Sequence, residues 1–498
     1  MLMPRFPTRV PQLHTMIRCG DRHVHARIAG SGPALVALHE SPRSSLSLLP
    51  LMDALADDFT VIALDTPGYG YSDPLPSARP EMPEFVEALG QVLDVLGLER
   101  PAIYGTHTGA AIAAAFALAR PQRVSALVLD GFAAFDAEEQ VDFADRYLAP
   151  FEAEWDGSHL ARLWSRCRDL FMWFPYHHRD AAHRLQTELP SVEAVYATVR
   201  GFLQAGSAYW KGYRCAGALD APAAARALTV PTLVTARPHD LIAAHLVRVE
   251  PTASVEVRAL GPSPEDWASA IKSHLARHGS GERATMPPGV RPRFVAHGDG
   301  ALHLRWIEGD ERIAVVLPDL PTAARDVEVP EALRDGRTLL IIDAPGCGMS
   351  DPLAGPATSI GDWLAPISAA LTHCGIDAYD VIGLGRGALL AKALEQHDQR
   401  VTGMTVIDAP AWFADPGATP VEPLLLKPWP DPDGGSLLST WYRLRDLAFY
   451  ESVTNGVPRD RRPQAREDIP ALRAAHAGLW MGPESADLVA ALQAWQRR

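Results

Sequence analysis

Several features are scarce in this 498-residue chain, and each scarcity removes a class of protein. Cysteine occurs five times, at Cys19, Cys167, Cys215, Cys347 and Cys374, an odd and scattered set with no CxxC pair. Neither a zinc module nor a disulfide framework is built that way. No apolar run reaches 18 residues, so no membrane-spanning helix is expected. The opening Met-Leu-Met-Pro-Arg-Phe-Pro has no apolar stretch of signal-peptide length, which makes the cytoplasm the default compartment. Positive charge is short as well: 46 Lys+Arg against 60 Asp+Glu give a formal charge of −14. Nucleic acids and anionic membranes are bound through basic surfaces, so neither partner is expected. What the chain does have is 47% hydrophobic residues, ample for a sizeable core. Its length suits two large domains or about three ordinary ones.

Comparing the chain with itself is more informative. Asp65-Thr-Pro-Gly-Tyr-Gly-Tyr-Ser-Asp-Pro-Leu75 recurs as Asp343-Ala-Pro-Gly-Cys-Gly-Met-Ser-Asp-Pro-Leu353, an offset of 278. The same offset carries Gly20-Asp21 onto Gly298-Asp299, His25 onto His303, Gly105 onto Gly383, Asp130 onto Asp408 and Phe135 onto Phe413. With a one-residue slip, Trp164, Arg168 and Asp169 match Trp441, Arg445 and Asp446. One offset held this long reads as a tandem duplication.

Within copy 1, short aliphatic runs (34–38, 59–64, 102–104, 126–129) alternate with helix-like segments such as 84–96 and the Ala-rich 110–119. That alternation predicts an α/β fold with a mostly parallel sheet and helices on both faces. Residues 136–228 break the pattern and read as a helical cap, after which it resumes at 231–236 and 255–260. The expected organisation is a first domain over 1–280, a Gly/Pro-rich linker over 281–292, and a second copy over 293–498 with a cap-like tail from about 414. Residue 498 aligns with about residue 220 of copy 1, so the second copy is expected to lack the last strands.

Gly105-Thr-His-Thr-Gly109 follows a predicted strand and opens a predicted helix. Leu38-His-Glu-Ser-Pro42, Asp65–Pro74 and Pro231-Thr-Leu-Val-Thr-Ala-Arg-Pro-His-Asp240 stand around it in order. Together these resemble the α/β-hydrolase superfamily, with all of copy 1 and, more weakly, copy 2 covered. The resemblance implies a nucleophile elbow centred on His107, where the family usually places Ser, and an acid at Asp240. It implies oxyanion donors in the backbone N–H of Thr108 and of Glu40 or Ser41, beside His39. The family's general-base His is missing, since the loop after the last strand reads Gly261-Pro-Ser-Pro-Glu-Asp-Trp267.

A long His at the elbow can span part of the gap that the absent imidazole leaves. A His107–Asp240 dyad is therefore expected, direct or through one water. The helix dipole behind His107 is expected to oppose protonation and keep the ring a base or nucleophile near neutral pH. The cap adds His159, Tyr176, His177 and His178 as candidate substrate contacts, each with the alternative of a packing role. Phe171-Met-Trp-Phe-Pro175 reads as cap core, with a substrate-facing aromatic as the alternative. No HxxxH or HxH spacing occurs among these candidates, so neither a metal nor any other cofactor is expected.

Copy 2 serves as an internal control. It has Gly385 for His107, Pro318 and Asp319 for His39 and Glu40, and no counterpart of Asp240. Residues shared by both copies (Asp65/Asp343, Ser72/Ser350, Asp130/Asp408) then read as structural, and those unique to copy 1 as functional. The reading that follows is an enzyme acting on a small organic substrate, by default through ester, lactone or amide hydrolysis. The alternatives are a cofactor-free lyase or isomerase with His as base, and a non-catalytic binding protein. The truncated copy would act as a scaffold, with homo-oligomerisation possible through its open sheet edge.

Overall fold

A computed structural model describes residues 12–185, 188, 190–285, 292–298, 300–454, 457–462 and 466–497. Asp299 and half of the expected linker, residues 286–291, lie outside these. The chain divides into two compact units, one of residues 1–152 and 163–288, the other of 153–162 and 289–498. The described end of the expected linker belongs to the first unit, where Ala34 N–H donates to Glu282 O at 2.6 Å and Thr285 N–H to Leu96 O at 2.9 Å.

The first unit is built on eight strands: β1 (Leu13–Cys19), β2 (Arg22–Ala29), β3 (Ala34–Leu38), β4 (Thr60–Leu64), β5 (Ala102–Thr106), β6 (Leu127–Asp130), β7 (Thr232–Ala236) and β8 (Val255–Ala259). They form one sheet in the order β1-β2-β4-β3-β5-β6-β7-β8. β1, β2 and β4 pair antiparallel, and every pair from β4 to β8 is parallel. Period-two alternation explains how five-residue runs hold two cores. On β3, Ala34, Val36 and Leu38 face Phe85, Leu89, Ile112 and Phe116. Leu35 and Ala37 face the other way, toward Met52, Leu55, Trp267 and Ile271. Both faces being covered, the strands read as unbroken aliphatic runs.

The cap consists of the helices Ala137–Asp142, Ser158–Asp169, Val192–Ala205, Trp210–Gly217 and Ala221–Ala227 with their loops. Residues 153–162, including the start of the second of these helices, group with the second unit rather than with the cap's own domain.

The second unit holds β9 (Phe294–His297), β10 (Gly300–Ile307), β11 (Asp310–Leu317), β12 (Arg337–Ile342), β13 (Tyr379–Leu384) and β14 (Val401–Ile407). Their order, read from β9, is β9-β10-β12-β11-β13-β14. The β9/β10 and β10/β12 pairs are antiparallel and the rest parallel. Order and direction are those of β1 to β6. Among the described residues no strand of this sheet lies beyond β14, and the residues of β14 are exposed or half-buried where β6, flanked by β7, is fully buried.

One polar knot occurs in both sheets. His25 Nδ1 meets Asp65 Oδ2 at 2.8 Å, and Ser72 Oγ donates to Asp65 O. In the second unit His303 Nδ1 meets Asp343 Oδ2 at 2.8 Å, and Ser350 Oγ donates to Asp343 O. Each carboxylate also takes two backbone N–H groups, from Ser45 and Tyr71 in one and from Ala324 and Met349 in the other. These buried groups are fully engaged in holding their turns.

Among the described residues no helix is long and apolar enough to cross a membrane. Cys19, Cys167, Cys215 and Cys347 are buried thiols.

Candidate active site

β5 ends at Thr106, and the helix Thr108–Ala119 begins one residue later. The turn between them is so tight that His107 is forced to φ +48°. A non-glycine residue rarely sits there, and the conformation costs about 1–3 kcal/mol. The glycines beside it permit the approach of strand and helix. A Cβ on Gly109 would strike Leu38 O, and one on Gly105 would strike Gly109 O. No side chain caps the start of this helix, so its first N–H groups are left for another acceptor.

His107 Nε2 lies 2.8 Å from Asp240 Oδ2, the direct dyad expected from the sequence. Asp240 sits in the turn after β7, where its Oδ1 also accepts from Ile242 N–H at 3.0 Å. Contact between the two side chains depends on Gly131, at φ +63° just past β6. A Cβ there would meet His107 Cδ2, would come to 2.6 Å from His107 Nε2, and would lie 2.9 Å from Asp240 Oδ2.

The protonation state differs from expectation. Burial works against a charged His107, but the adjacent Asp240, with Glu40 and Asp130 further off, outweighs it and raises the pKa from 6.5 to about 9. The helix dipole contributes only about 0.3–1 kcal/mol, under one pKa unit, and cannot offset three carboxylates. Burial pushes Asp240 up, yet His107 and the Ile242 N–H bring it down to about 2. At neutral pH the pair is an imidazolium and a carboxylate, not the neutral ring expected from the dipole alone.

His107, Thr108, Glu40, Ser41 and Asp240 all line one cavity of about 340 Å³. Its remaining wall holds the rings of Phe135, Phe143, Tyr147, Phe171, Phe174 and Tyr213 among aliphatic residues such as Leu170, Leu185, Leu241 and Ile242. Phe171 and Phe174 thus face the cavity instead of forming cap core. Glu40 accepts from Ser47 Oγ at 2.8 Å. Ser41 N–H points to Thr108 Oγ1 at a long 3.4 Å.

Five other sequence candidates do not line the cavity. His39 is fully buried; its Nε2 accepts from Thr66 N–H at 2.9 Å, so Nδ1 carries the proton and donates to Glu40 O at 2.8 Å. It braces the Glu40 loop. His159 belongs to the second unit, accepts from Glu154 N–H and packs on Trp441 at 4.8 Å; burial drops its pKa to about 4. Tyr176 covers the Arg166 guanidinium at 4.8 Å. His177 and His178 both turn to Asp142.

Asp130 was set aside because copy 2 shares it, yet it lies near enough to act on His107. Its Oδ2 accepts from Tyr104 OH at 2.7 Å and from Trp267 Nε1 at 2.8 Å, while Oδ1 finds no protein partner. Burial raises its pKa. Trp267 stands on the helix Pro264–His278, which takes up part of the segment expected as the loop after the last strand, and it holds this carboxyl. Gly131 was missed altogether; its only sequence signal is its place directly after a strand ending in Asp130.

Residues 33–170 match the family described as alpha/beta hydrolase fold. An uncharacterised hydrolase of Saccharomyces cerevisiae is 31% identical over 127 residues, 26% of this chain and 42% of that protein. A 2-hydroxy-6-oxononadienedioate/2-hydroxy-6-oxononatrienedioate hydrolase of Pseudomonas putida is 40% identical over 119 residues, 22% of this chain and 41% of that one. The chain thus spans less than half the length of either relative. A solved epoxide hydrolase from an endophytic Streptomyces aligns with 53% of this chain and 96% of its own, at 19% identity and a TM-score of 0.41.

Proposed function

From the alpha/beta hydrolase fold that this chain carries, matched over residues 33–170, we propose an enzyme that hydrolyses a small, largely apolar ester, lactone or amide. The 2.8 Å contact between His107 and Asp240 in an aromatic cavity carries this reading. With Nε2–H given to Asp240, Nδ1 is the nitrogen that exchanges a proton. Deprotonated there, His107 takes a proton from water as the water oxygen attacks the carbonyl carbon. The uncapped Thr108 N–H and the helix N-terminus meet the oxygen that becomes negative. When the tetrahedral intermediate collapses, Nδ1–H returns its proton to the departing oxygen or nitrogen. Asp240 keeps the ring oriented and stabilises its charged form throughout. Because the ring's pKa lies near 9, the base form is scarce at neutral pH and the rate should climb with pH toward that value.

One observation favours a second reading. Asp240 raises the pKa of His107 and so favours its imidazolium form, and the elbow residue itself carries neither hydroxyl nor thiol. An imidazolium in an aromatic cavity can hold a carbonyl or carboxylate ligand without turning it over.

A screen of activated esters and lactones, with His107→Ala as control, separates the two. Hydrolysis that disappears in the variant supports the enzyme. Hydrolysis unchanged in the variant, or none across the screen at pH 9, leaves the binding reading. Solvent deuterium entering a substrate that is not hydrolysed would redirect the proposal to a lyase or isomerase with His107 as base.

A further inference from the structure

The cap gathers a second chemically able set of side chains beside the cavity. Two neighbouring imidazoles converge on a single carboxylate oxygen: His177 Nε2 is 2.7 Å and His178 Nε2 is 3.0 Å from Asp142 Oδ2. All three groups are half-buried, with side chains 16–29% exposed, so an ion could reach them from solvent. The His177 and His178 rings lie 4.5 Å apart, and His178 stacks on His183 at 4.5 Å. His183 is itself held by Asp180, Nδ1 to Oδ1 at 2.8 Å. His177 Nδ1 is buried with no protein partner, so the orientation of that ring is set by what Nε2 meets.

We propose that Asp142, His177 and His178 form a binding site for a borderline divalent cation of the Zn²⁺ type, tying the cap loop to the segment that precedes Phe143. Two imidazoles and one carboxylate are a donor set that Zn²⁺ takes, with a fourth position left for water. Ligand bonds of about 2.0–2.2 Å in tetrahedral geometry place donor atoms roughly 3.3–3.6 Å apart. The two ring nitrogens stand 2.7 and 3.0 Å from Asp142 Oδ2, just inside that separation, and all three donor atoms lie within 4.8 Å of one another. The nearest cation, Arg146, is 3.5 Å from Asp142 Oδ1 but 64% exposed, so it can swing into solvent. Arg179 is already paired with Asp169 at 2.8 Å. The site also has a place in the fold. Asp142 immediately precedes Phe143, and His177 and His178 lie between Phe174 and Leu185, all three of which line the cavity. A cation here would fix the two halves of the aromatic wall to each other. The sequence spacing hid it, because the two histidines are adjacent and their carboxylate lies 35 residues upstream.

The test is Zn²⁺ titration into the chelator-stripped, tag-free full chain against a competing chromophoric chelator. One Zn²⁺ per chain is expected, with affinity reduced at least about tenfold in His178→Gln and in Asp142→Asn. His23→Gln, which removes a different His–Asp pair, should leave binding unchanged. Added Zn²⁺ should raise the melting temperature of the wild type and not of His178→Gln, which keeps the test valid if one variant folds poorly. Absence of saturable Zn²⁺ binding overturns the proposal. So does a loss that follows His183→Gln and Asp180→Asn but not Asp142→Asn, which would move the ion to the neighbouring set of His178, Asp180 and His183.

Discussion

His107 and Gly385 occupy the same turn of two strand–helix units, at φ +48° and +51°. In the second unit glycine takes that conformation without steric cost. Asp319, at the place of Glu40, ties down the residue before the helix: its Oδ1 accepts from Arg386 N–H at 2.8 Å and pairs with the Arg386 side chain. In the first unit a histidine bears the strain, its helix start has no side-chain cap, and an aromatic cavity stands in front. Meanwhile the knots around Asp65 and Asp343 are alike bond for bond. The scaffold is common to both units. At the elbow, the first unit has a strained side chain with an ionic partner where the second has glycine, and strain that glycine would relieve points to a side chain kept for what it does.

The sharpest way to break this contrast is to make the first elbow resemble the second. His107→Ala, and separately Asp240→Asn, should lower kcat/KM on any ester that the wild type hydrolyses by about 10²–10⁴-fold. A rate within threefold of wild type in both would remove the dyad from the chemistry. Gly131→Ala comes next. The added methyl displaces His107 from Asp240, and a misplacement on the order of 1 Å costs about 10²-fold in kcat. Its fold should survive, so circular dichroism like that of wild type with kcat unchanged would contradict the positioning role.

The reverse exchange tests the second unit. Gly385→Ala places a Cβ against the Asp319 carboxylate and forces positive φ on a side chain. It should destabilise the chain by about 1–3 kcal/mol in denaturant unfolding, with no loss of first-unit activity. A neutral effect on stability would mean that the two elbows differ less than their geometry implies.

The smallest expected effect is on the pH dependence of stability. His107's pKa is raised, so its contribution is whole below 6.5 and is lost as pH rises through about 9. Asp240's is lowered, so its contribution is whole above 3.8 and is lost as pH falls through about 2. Both shifts describe one interaction. The stability difference between wild type and Asp240→Asn should therefore be flat from about pH 4 to 6.5 and shrink outside that window. A difference that grows on going from pH 7 to 10 would contradict the ion pair.

Much of this was legible in the chain, and what was not has physical causes. The strand-turn-helix spacing around Gly105–Gly109 placed His107, and the turn after an aliphatic run placed Asp240, because both are local features of backbone order. The charge on His107 was not legible. It depends on Asp240, Glu40 and Asp130, which come together only when β3, β6 and β7 align. The sequence left Phe171 and Phe174 between cap core and a substrate-facing role because they sit in an irregular cap loop, where no period tells an inward face from an outward one. His159 was misplaced because its decapeptide packs with the second unit, a long-range choice that carries no local signature.

The central claim is that His107 and Asp240 form an imidazolium–carboxylate pair at neutral pH. An NMR titration of ¹⁵N-labelled histidine, assigned with His107→Ala and repeated in Asp240→Asn, tests it directly. The account predicts a His107 pKa near 9 in the wild type that falls by more than a unit once the Asp240 charge is removed. A wild-type value at or below 6.5, or one that Asp240→Asn leaves in place, would contradict it.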